Sequence, residues 1–436
     1  METNRLYQID SDRGYTIKEA VAEAKRCLNC KKPTCITGCP IENYIPEFIK
    51  EISKGNFGEA REIIAQKSNL PAICGRVCPH DLQCEGRCVL APRGKQIRVG
   101  KLERFAADFD HSMGLINEKI PAKTRGKVAV IGSGPAGLTI AGDLAKTGFN
   151  VTVFEAQEEP GGVLLYGIPD FRLKKDVARR EIDKIASYGV NFITKTVVGE
   201  DFTVDTLFEN GYDAVFIGTG TNVARNLDIP GKDLIGVELS SYFLRTSMLA
   251  NEGKIEKSEV SVEAGSKVLV IGAGNVAMDA ARTAVRIGAS EVTVVYRGTI
   301  EKMTASKAEY EDALKDGVKF SFETTPIECI GENGIFKSLK VEIAEGQKEI
   351  EADVVLVAIG SKPAKRIVST TKGIDVDDRG YVITKDKPYG MTTLNGVFAG
   401  GDVVHQPATV VRAMKEAKLV AEGIAAYIDA KKLLGM

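Results

Sequence analysis

Two short apolar runs constrain this chain more than any other feature. Lys127-Val-Ala-Val-Ile131 closes on Gly132, and Lys267-Val-Leu-Val-Ile271 closes on Gly272. Runs of this kind fit strands buried on both faces. Each is followed by a helix pattern and then a second strand, Asn150–Phe154 in the first case and Glu291–Val295 in the second. The rhythm is βαβ, repeated 140 positions later (267 against 127). Further strands are predicted at Ala214–Ile217, Asp353–Ile359 and Gly396–Ala399.

The turns carry chemistry. Gly132-Ser133-Gly134-Pro135-Ala136-Gly137 has the form G-x-G-x-x-G. The first glycine permits the tight turn and the second lets a pyrophosphate approach the backbone. The third allows close helix packing, and the helix N-terminus faces the anion. Glu155 ends the second strand, where a carboxylate can bond a ribose hydroxyl. Strand, helix and acid coincide here, which argues against an ordinary glycine turn. The second turn, Gly272-Ala273-Gly274-Asn275-Val276-Ala277, is the G-x-G-x-x-A form. Its second strand leads to Tyr296-Arg297 rather than to an acid. An arginine there can pair with the 2′-phosphate of NADP, so NADPH is expected over NADH; the alternative is a solvated strand-end charge. Gly400-Gly401-Asp402 follows the run Val397-Phe398-Ala399, and Ala408-Thr409-Val410 opens a helix. That acid can bond a polyol chain, and the helix N-terminus can favour negative charge on a reduced flavin. An ordinary strand–turn–helix stays open at this point.

Eight of nine cysteines crowd between Cys27 and Cys88; Cys329 stands alone. The runs are Cys27-x2-Cys30-x4-Cys35-x3-Cys39-Pro40 and Cys74-x3-Cys78-Pro79-x4-Cys84-x3-Cys88. Thiolates suit zinc or iron–sulfur clusters. Zinc sites favour paired C-x2-C knuckles, and only one such pair exists. The run ending in Cys-Pro is similar to a bacterial ferredoxin run, which points to iron–sulfur; zinc and buried free thiols are the alternatives. Eight thiolates would suit two four-thiolate clusters, but spacing does not give the connectivity.

Around the cysteines, residues 1–120 read as helical. Thr16-Ile-Lys-Glu19 is a capping box. Helical stretches are expected over Ile45–Ala65, entered at Pro46, and over Val99–Asp110. A charged linker from Asn117 to Lys127 ends this part.

Length suggests roughly two to four domains. With 44% hydrophobic and 27% charged residues, the composition is that of a soluble globular protein. A net charge of −1 gives no support for a nucleic-acid or anionic-membrane partner. No apolar run approaches the ~18 residues that span a bilayer. Met1 to Gly14 has no apolar core of a signal peptide, so the expected compartment is the cytoplasm. No Cys-x-x-Cys accompanies the second nucleotide unit, which argues against a thiol–disulfide reductase. His80, His111 and His405 are the only histidines, so histidine-based acid/base or metal chemistry is not expected.

Together these residues resemble the small (β) subunit of bacterial NADPH-dependent glutamate synthase. Similar proteins are the N-terminal half of dihydropyrimidine dehydrogenase and the large subunit of the NADH-dependent ferredoxin–NADP oxidoreductase. The resemblance runs over nearly the whole chain. It begins with Cys27-Leu-Asn-Cys-Lys-Lys-Pro-Thr-Cys35, Cys74-Gly-Arg-Val-Cys-Pro79 and Val99-Gly-Lys-Leu-Glu-Arg-Phe105. It continues through Gly132-Ser-Gly-Pro-Ala-Gly-Leu138, Pro160-Gly-Gly-Val-Leu-Leu-Tyr-Gly-Ile-Pro169 and Gly218-Thr-Gly220, and ends with Gly274-Asn-Val-Ala-Met-Asp279 and Val397-Phe-Ala-Gly-Gly-Asp402.

The resemblance implies one [4Fe–4S] cluster on Cys27, Cys30, Cys35 and Cys88. It implies a second on Cys39, Cys78, Cys84 and Glu103, with Cys74 spare. FAD would lie on Gly132, Ser133, Gly134, Pro135, Ala136, Gly137 and Glu155, flanked by Gly161, Gly162, Leu165 and Gly220. Gly401, Asp402, Thr409 and Val410 would hold its ribitol and pyrimidine end. NADPH would sit on Gly272, Gly274, Asn275, Val276 and Arg297. Many relatives carry a second arginine where this chain has Gly298, so NADH remains possible.

The implied fold is α plus α/β: a helical di-cluster domain over 1–122, then two Rossmann-like domains. The FAD domain would take 123–236 and 350–436, and the NAD(P)H domain 237–349. NADPH would reduce the flavin, and electrons would leave singly through the clusters to a larger partner chain. Three purposes are open: the electron-input subunit of a glutamate synthase, the NAD(P)H-oxidising subunit of a dihydropyrimidine dehydrogenase, and a module of a bifurcating transhydrogenase or ferredoxin–NADP oxidoreductase complex. A stand-alone diaphorase is a weaker fourth.

Overall fold

A computed structural model describes residues 13–114 and 118–435. The N-terminal stretch up to residue 12 and Asn117, where the linker was expected to begin, lie outside the described residues. The chain divides into two compact units. The larger holds 13–165, Leu173–Val223 and 362–435; the smaller holds Tyr166–Arg172 and Ala224–Ser361.

The larger unit begins with helices. Thr16 caps Ile17–Lys25: its hydroxyl accepts from Glu19 N–H at 3.3 Å, and Glu19 Oε2 accepts from Thr16 N–H at 2.8 Å. The stretch expected as one helix over Ile45–Ala65 is two, Ile45–Lys54 and Phe57–Ala65. Gly55 separates them at φ 87°, a left-handed conformation that ends the first helix and that glycine adopts without strain. The helix Val99–Met113 runs one turn past expectation to Gly114. Phe48, Ile49, Ile52, Ile64, Leu102 and Phe105 form the core here, and Cys84 is buried among them. Each such apolar side chain contributes ~1.5–3 kcal/mol.

A seven-stranded sheet follows, in the order Thr384–Asp386, Tyr389–Thr392, Val397–Ala399, Ala214–Ile217, Lys127–Ile131, Asn150–Phe154, Asn191–Ile193. The last five are parallel; the first two pair antiparallel. The helices Pro135–Lys146 and Val410–Leu433 pack together in this unit. An ionic layer ties the helical segment to it. Asp108 receives Arg76 at 2.7 Å and also Arg180 of the helix Lys175–Ser187, while Asp110 receives Arg61 at 3.5 Å and Lys184 at 3.7 Å. The helical segment therefore belongs to the same compact body as the first nucleotide unit.

In the smaller unit, five parallel strands run in the order Val237–Leu239, Val354–Val357, Lys267–Ile271, Glu291–Val295, Lys319–Ser321. Three antiparallel strands, Thr325–Glu332, Ile335–Ile343 and Gly346–Glu351, form a second sheet. Val354–Val357 bonds to Lys267–Ile271, so the segment after 350 continues this unit's ladder, and the compact division falls at 361/362. Among the described residues no helix is long and apolar enough to cross a membrane.

Candidate cofactor and cluster sites

The cysteines fall into two groups set by helix ends. Cys27, Cys30, Cys35 and Cys88 line one apolar pocket, walled by Ile45, Pro46, Ile49, Ile97 and Val99. Burial pushes the Cys35 thiol up to about 11, and the neighbouring Cys27 and Cys88 add to the push. Cys39, Cys74, Cys78, Cys84 and Glu103 neighbour one another in the other group. Cys39 ends the helix Thr34–Gly38 and Cys78 ends Pro71–Val77. Glu103 sits one turn into Val99–Met113 and is 7% exposed. Burial raises the Cys39 thiol to about 12, with Glu103 and Cys74 among its neighbours. Cys84 is raised by burial and then by Glu85, Cys39 and Glu103. Burial likewise raises Glu103 to about 8, against the pull of Arg61. The Cys74 thiol is hydrogen-bonded to the Cys78 thiol, and its Sγ lies 3.5 Å from Met414 Sδ.

Soft donors around an apolar space fit an iron–sulfur cluster, whose iron charge offsets the cost of ionising buried thiols. Among the described residues no three or more His, Cys, Asp or Glu side chains converge closely enough to hold a single ion. The four thiols of the first group surround a space instead.

The first glycine turn is closely built. Gly132 has φ 94°, and a Cβ on Gly137 would lie 1.9 Å from Gly132 O. A Cβ on Gly134 would meet nothing within 4 Å, so that face is open to a ligand. Pro135 opens the helix Pro135–Lys146. Glu155 Oε2 accepts from Ser133 N–H at 3.0 Å and from the Ser133 hydroxyl; Glu155 Oε1 accepts from Gln157 N–H at 2.8 Å. Gly161 N–H donates to Ser133 Oγ at 2.8 Å, which brings the Gly161-Gly162 turn onto the glycine turn. Gly162 is at φ 53°, and a Cβ there would lie 2.9 Å from Gly134 Cα. Leu165 packs under Gly161, and Gly220 has open space beside it at φ 62°.

The Gly401-Asp402 turn reaches the same place from the far end of the chain. A Cβ on Gly401 would lie 3.0 Å from Ala136 Cβ. Asp402 opens onto a cleft of about 530 Å³, together with Ala408 and, from the cysteine segment, Thr37, Gly38 and Pro40. Burial raises the Asp402 carboxyl above its ordinary value, opposed by the Ala408 N–H and His405. Thr409 stands at the N-cap position of Val410–Leu433 without a side-chain capping bond, and its hydroxyl is buried with no partner among the described residues. An orphaned buried hydroxyl at the start of Val410–Leu433 and an open face at Gly134 fit a polar ligand such as a flavin dinucleotide.

The second turn stands in the smaller unit. Gly272 has φ 123°, and a Cβ there would lie 2.3 Å from Ala358 O. Gly274 caps Asn275–Ile287, and Asn275 Oδ1 accepts from Ser306 N–H at 3.3 Å. Val276 and Arg297 are exposed. The helix N-terminus at Gly274 and the exposed Arg297 guanidinium fit a phosphorylated dinucleotide.

Comparison with known proteins shows the family of the chain. Residues 5–115 match the family described as "Dihydroprymidine dehydrogenase domain II, 4Fe-4S cluster", and residues 126–417 match "Pyridine nucleotide-disulphide oxidoreductase". The glutamate synthase [NADPH] small chain of Halomonas elongata is 37% identical, covering 95% of this chain and 92% of its own length. That of Escherichia coli is 36% identical, with 94% and 92% covered. The chain belongs to the glutamate synthase small-chain family.

This family membership makes the chain an NAD(P)H-dependent FAD oxidoreductase with a 4Fe–4S segment. The family also reaches other enzymes: the NAD-dependent dihydropyrimidine dehydrogenase subunit PreT of E. coli is 33% identical, with 95% of this chain and 96% of that one covered. Among solved structures, FprA from Mycobacterium tuberculosis superposes with TM-score 0.60 at 20% identity, over 71% of this chain and 86% of that one. That likeness shows the fold.

Some residues of the site carry no sequence signal. Asn43 donates from Nδ2 to Glu103 Oε1 at 3.3 Å. Arg61 acts on Glu103 by charge. Tyr296 folds back over Gly298: its hydroxyl donates to Lys302 O at 2.8 Å, and a Cβ on Gly298 would lie 2.8 Å from its ring. Only Gly298 itself, as a departure from the family's paired arginines, could have drawn attention to that last contact.

Proposed function

We propose that this chain is the electron-input subunit of an NADPH-dependent glutamate synthase, acting with a larger chain that carries the synthase chemistry. When bound, nicotinamide, flavin and clusters supply hydride and one-electron transfer; the chain binds, orients and shields them. In this reading Cys27, Cys30, Cys35 and Cys88 hold one cluster, and Cys39, Cys78, Cys84 and Glu103 hold the second. The Gly132–Gly137 turn, Glu155, Gly161, Gly162, Leu165, Gly220, Gly401, Asp402, Thr409 and Val410 hold FAD. Gly272, Gly274, Asn275, Val276 and Arg297 hold NADPH. The division into iron–sulfur, FAD and NAD(P)H domains and the cytoplasmic setting belong to the same proposal.

The observation that carries the reading is the cleft shared by Asp402 and the segment 37–40 at the end of the helix Thr34–Gly38. It has the acid assigned to the flavin beside the helix end that bears Cys39. An electron path from flavin to cluster needs that adjacency. Small-chain relatives aligned along almost their whole length support the choice of partner.

The test is reconstitution. The chain, co-expressed with the glutamate synthase large chain of its own host, should co-purify with it and support NADPH-dependent glutamate formation. A second reading is the NAD(P)H-oxidising subunit of a dihydropyrimidine dehydrogenase, favoured by the likeness to PreT and by Gly298. Reduction of uracil by a co-purifying chain, with no glutamate formed, would replace the first reading by the second.

A further inference from the structure

We propose that Asn43 is the positioning residue of the second cluster site, holding the Cys39 thiol and the Glu103 carboxylate in one frame. The inference rests on the ligand reading above. Asn43 lies in the turn between the helices Thr34–Gly38 and Ile45–Lys54, four residues after Cys39. Glu42, just before it, takes a left-handed φ of 51°. That turn aims the Asn43 backbone N–H at the Cys39 thiol. The side chain reaches the other way, with Nδ2 3.3 Å from Glu103 Oε1. One residue thus grips two ligand groups that are 64 positions apart in sequence (39 and 103).

Burial makes the contact consequential. Asn43 is 2% exposed and Glu103 7%. A buried amide is costly unless it is bonded, and Asn43 Oδ1 has no partner among the described residues. A leucine of similar size would avoid that cost, so packing alone gives no reason for an amide here. What the amide adds is a donor to the Glu103 carboxylate. With Oε1 engaged by Asn43, the ligand bond falls to Oε2. Outer-sphere hydrogen bonds of this kind fix ligand orientation. They also raise a cluster's reduction potential by drawing charge from its ligands.

The test uses the full chain, loaded with iron and flavin under anaerobic conditions. Asn43→Leu removes the donor, and the isosteric Asn43→Asp replaces it with a negative charge. Potentiometric titration followed by EPR should show one cluster's midpoint potential shifted downward in both variants and its g-values altered. The other cluster should stay where it is in the wild type. Loss of one cluster's iron with flavin retained would be the stronger form of the same result. If Asn43→Leu does not accumulate with flavin bound, Asn43→Asp carries the measurement. Unchanged potentials and g-values for both clusters would overturn the proposal. Glu103→Gln separates this failure from failure of the ligand reading. If Glu103→Gln alters one cluster while the Asn43 variants alter none, only the Asn43 role falls. If Glu103→Gln alters neither, the ligand reading falls and Asn43 with it.

Discussion

The Sγ of Cys74 lies 3.5 Å from the Sδ of Met414, and both side chains are buried. Cys74 is also hydrogen-bonded to the Cys78 thiol. It packs between a site thiol and the helix Val410–Leu433, and the resemblance leaves it without iron. Cys74→Ala should therefore keep both clusters by iron content and EPR, at a stability cost of about 1 kcal/mol for the lost buried contact. Glu103→Ala should perturb one cluster and spare the other. Loss of a cluster in Cys74→Ala would show that this thiol is a ligand and that Glu103 is not.

His80 makes stability sensitive to acid. Burial pushes its imidazole down to about 4, and its Nε2 is buried without a partner among the described residues. In the unfolded chain histidine titrates near ~6.5. Above that value neither state takes up the proton. As pH falls from about 6.5 towards about 4, the unfolded chain binds it first and the folded chain loses stability. Thermal unfolding by circular dichroism at pH 7.5 and 5.5 should show a larger loss for the wild type than for His80→Gln. Equal losses would assign the acid sensitivity to other groups.

The features legible in the sequence were those whose cause is local. The Thr16–Glu19 box, the strands Lys127–Ile131 and Lys267–Ile271 and the two glycine turns follow from patterns a few residues long. The break at Gly55 was hidden because apolar residues continue on both sides of it, at Ile52 and at Phe57, and periodicity hides a turn that keeps phase. The sheet membership of Val354–Val357 depends on which strand it pairs with, and its composition suits either sheet. The layer of Arg61, Arg76, Asp108, Asp110, Arg180 and Lys184 joins segments up to 123 positions apart (61 and 184). The Asn43–Glu103 contact is of the same kind. Charged and amide residues are common on surfaces, so nothing in the sequence marks these as buried.

In the proposed reading, cofactor choice turns on a small surface. Arg297 is exposed at the end of Glu291–Val295, free to meet a 2′-phosphate. Arg297→Ala should lower kcat/KM for NADPH by about tenfold, equivalent to ~1.4 kcal/mol, and leave that for NADH nearly unchanged. Dye reduction with each nucleotide measures this; a wild type that prefers NADH would remove the role. Gly298→Arg alone should give little gain for NADPH, because its Cβ would crowd the Tyr296 ring at 2.8 Å. Tyr296→Ser combined with Gly298→Arg removes the crowding and should raise the NADPH preference.

Arg172 offers the sharpest test of the smaller unit. Its Nη1 donates to both Asp279 oxygens, at 2.9 and 2.8 Å, and its Nη2 to Glu309 at 2.8 Å. Beside it, Phe171 is covered by Arg286 and Arg282, whose guanidinium carbons lie 4.1 and 4.7 Å from the ring centroid. The segment Tyr166–Arg172 thus enters this unit through contacts that include the Arg172 ion pairs to Asp279 and Glu309, the Asn251 Nδ2–Asp170 Oδ2 hydrogen bond and the cation-covered rings of Phe171 and Tyr166. Arg172→Met keeps the bulk but leaves the Asp279 carboxylate, itself buried, without its main counter-charge. Breaking a buried pair from one side costs about 3–5 kcal/mol. Arg282, 3.3 Å from Glu309, limits the damage on that acid, so the lower end is expected. Denaturant unfolding should show the loss, and NADPH binding should weaken because the unit that bears Gly272 and Gly274 loosens. Iron and flavin content should hold, since their residues lie in the larger unit. Asp279→Asn added to Arg172→Met should recover part of the stability by removing the stranded charge; a double variant no more stable than the single would mean that the ion pair does not hold this segment.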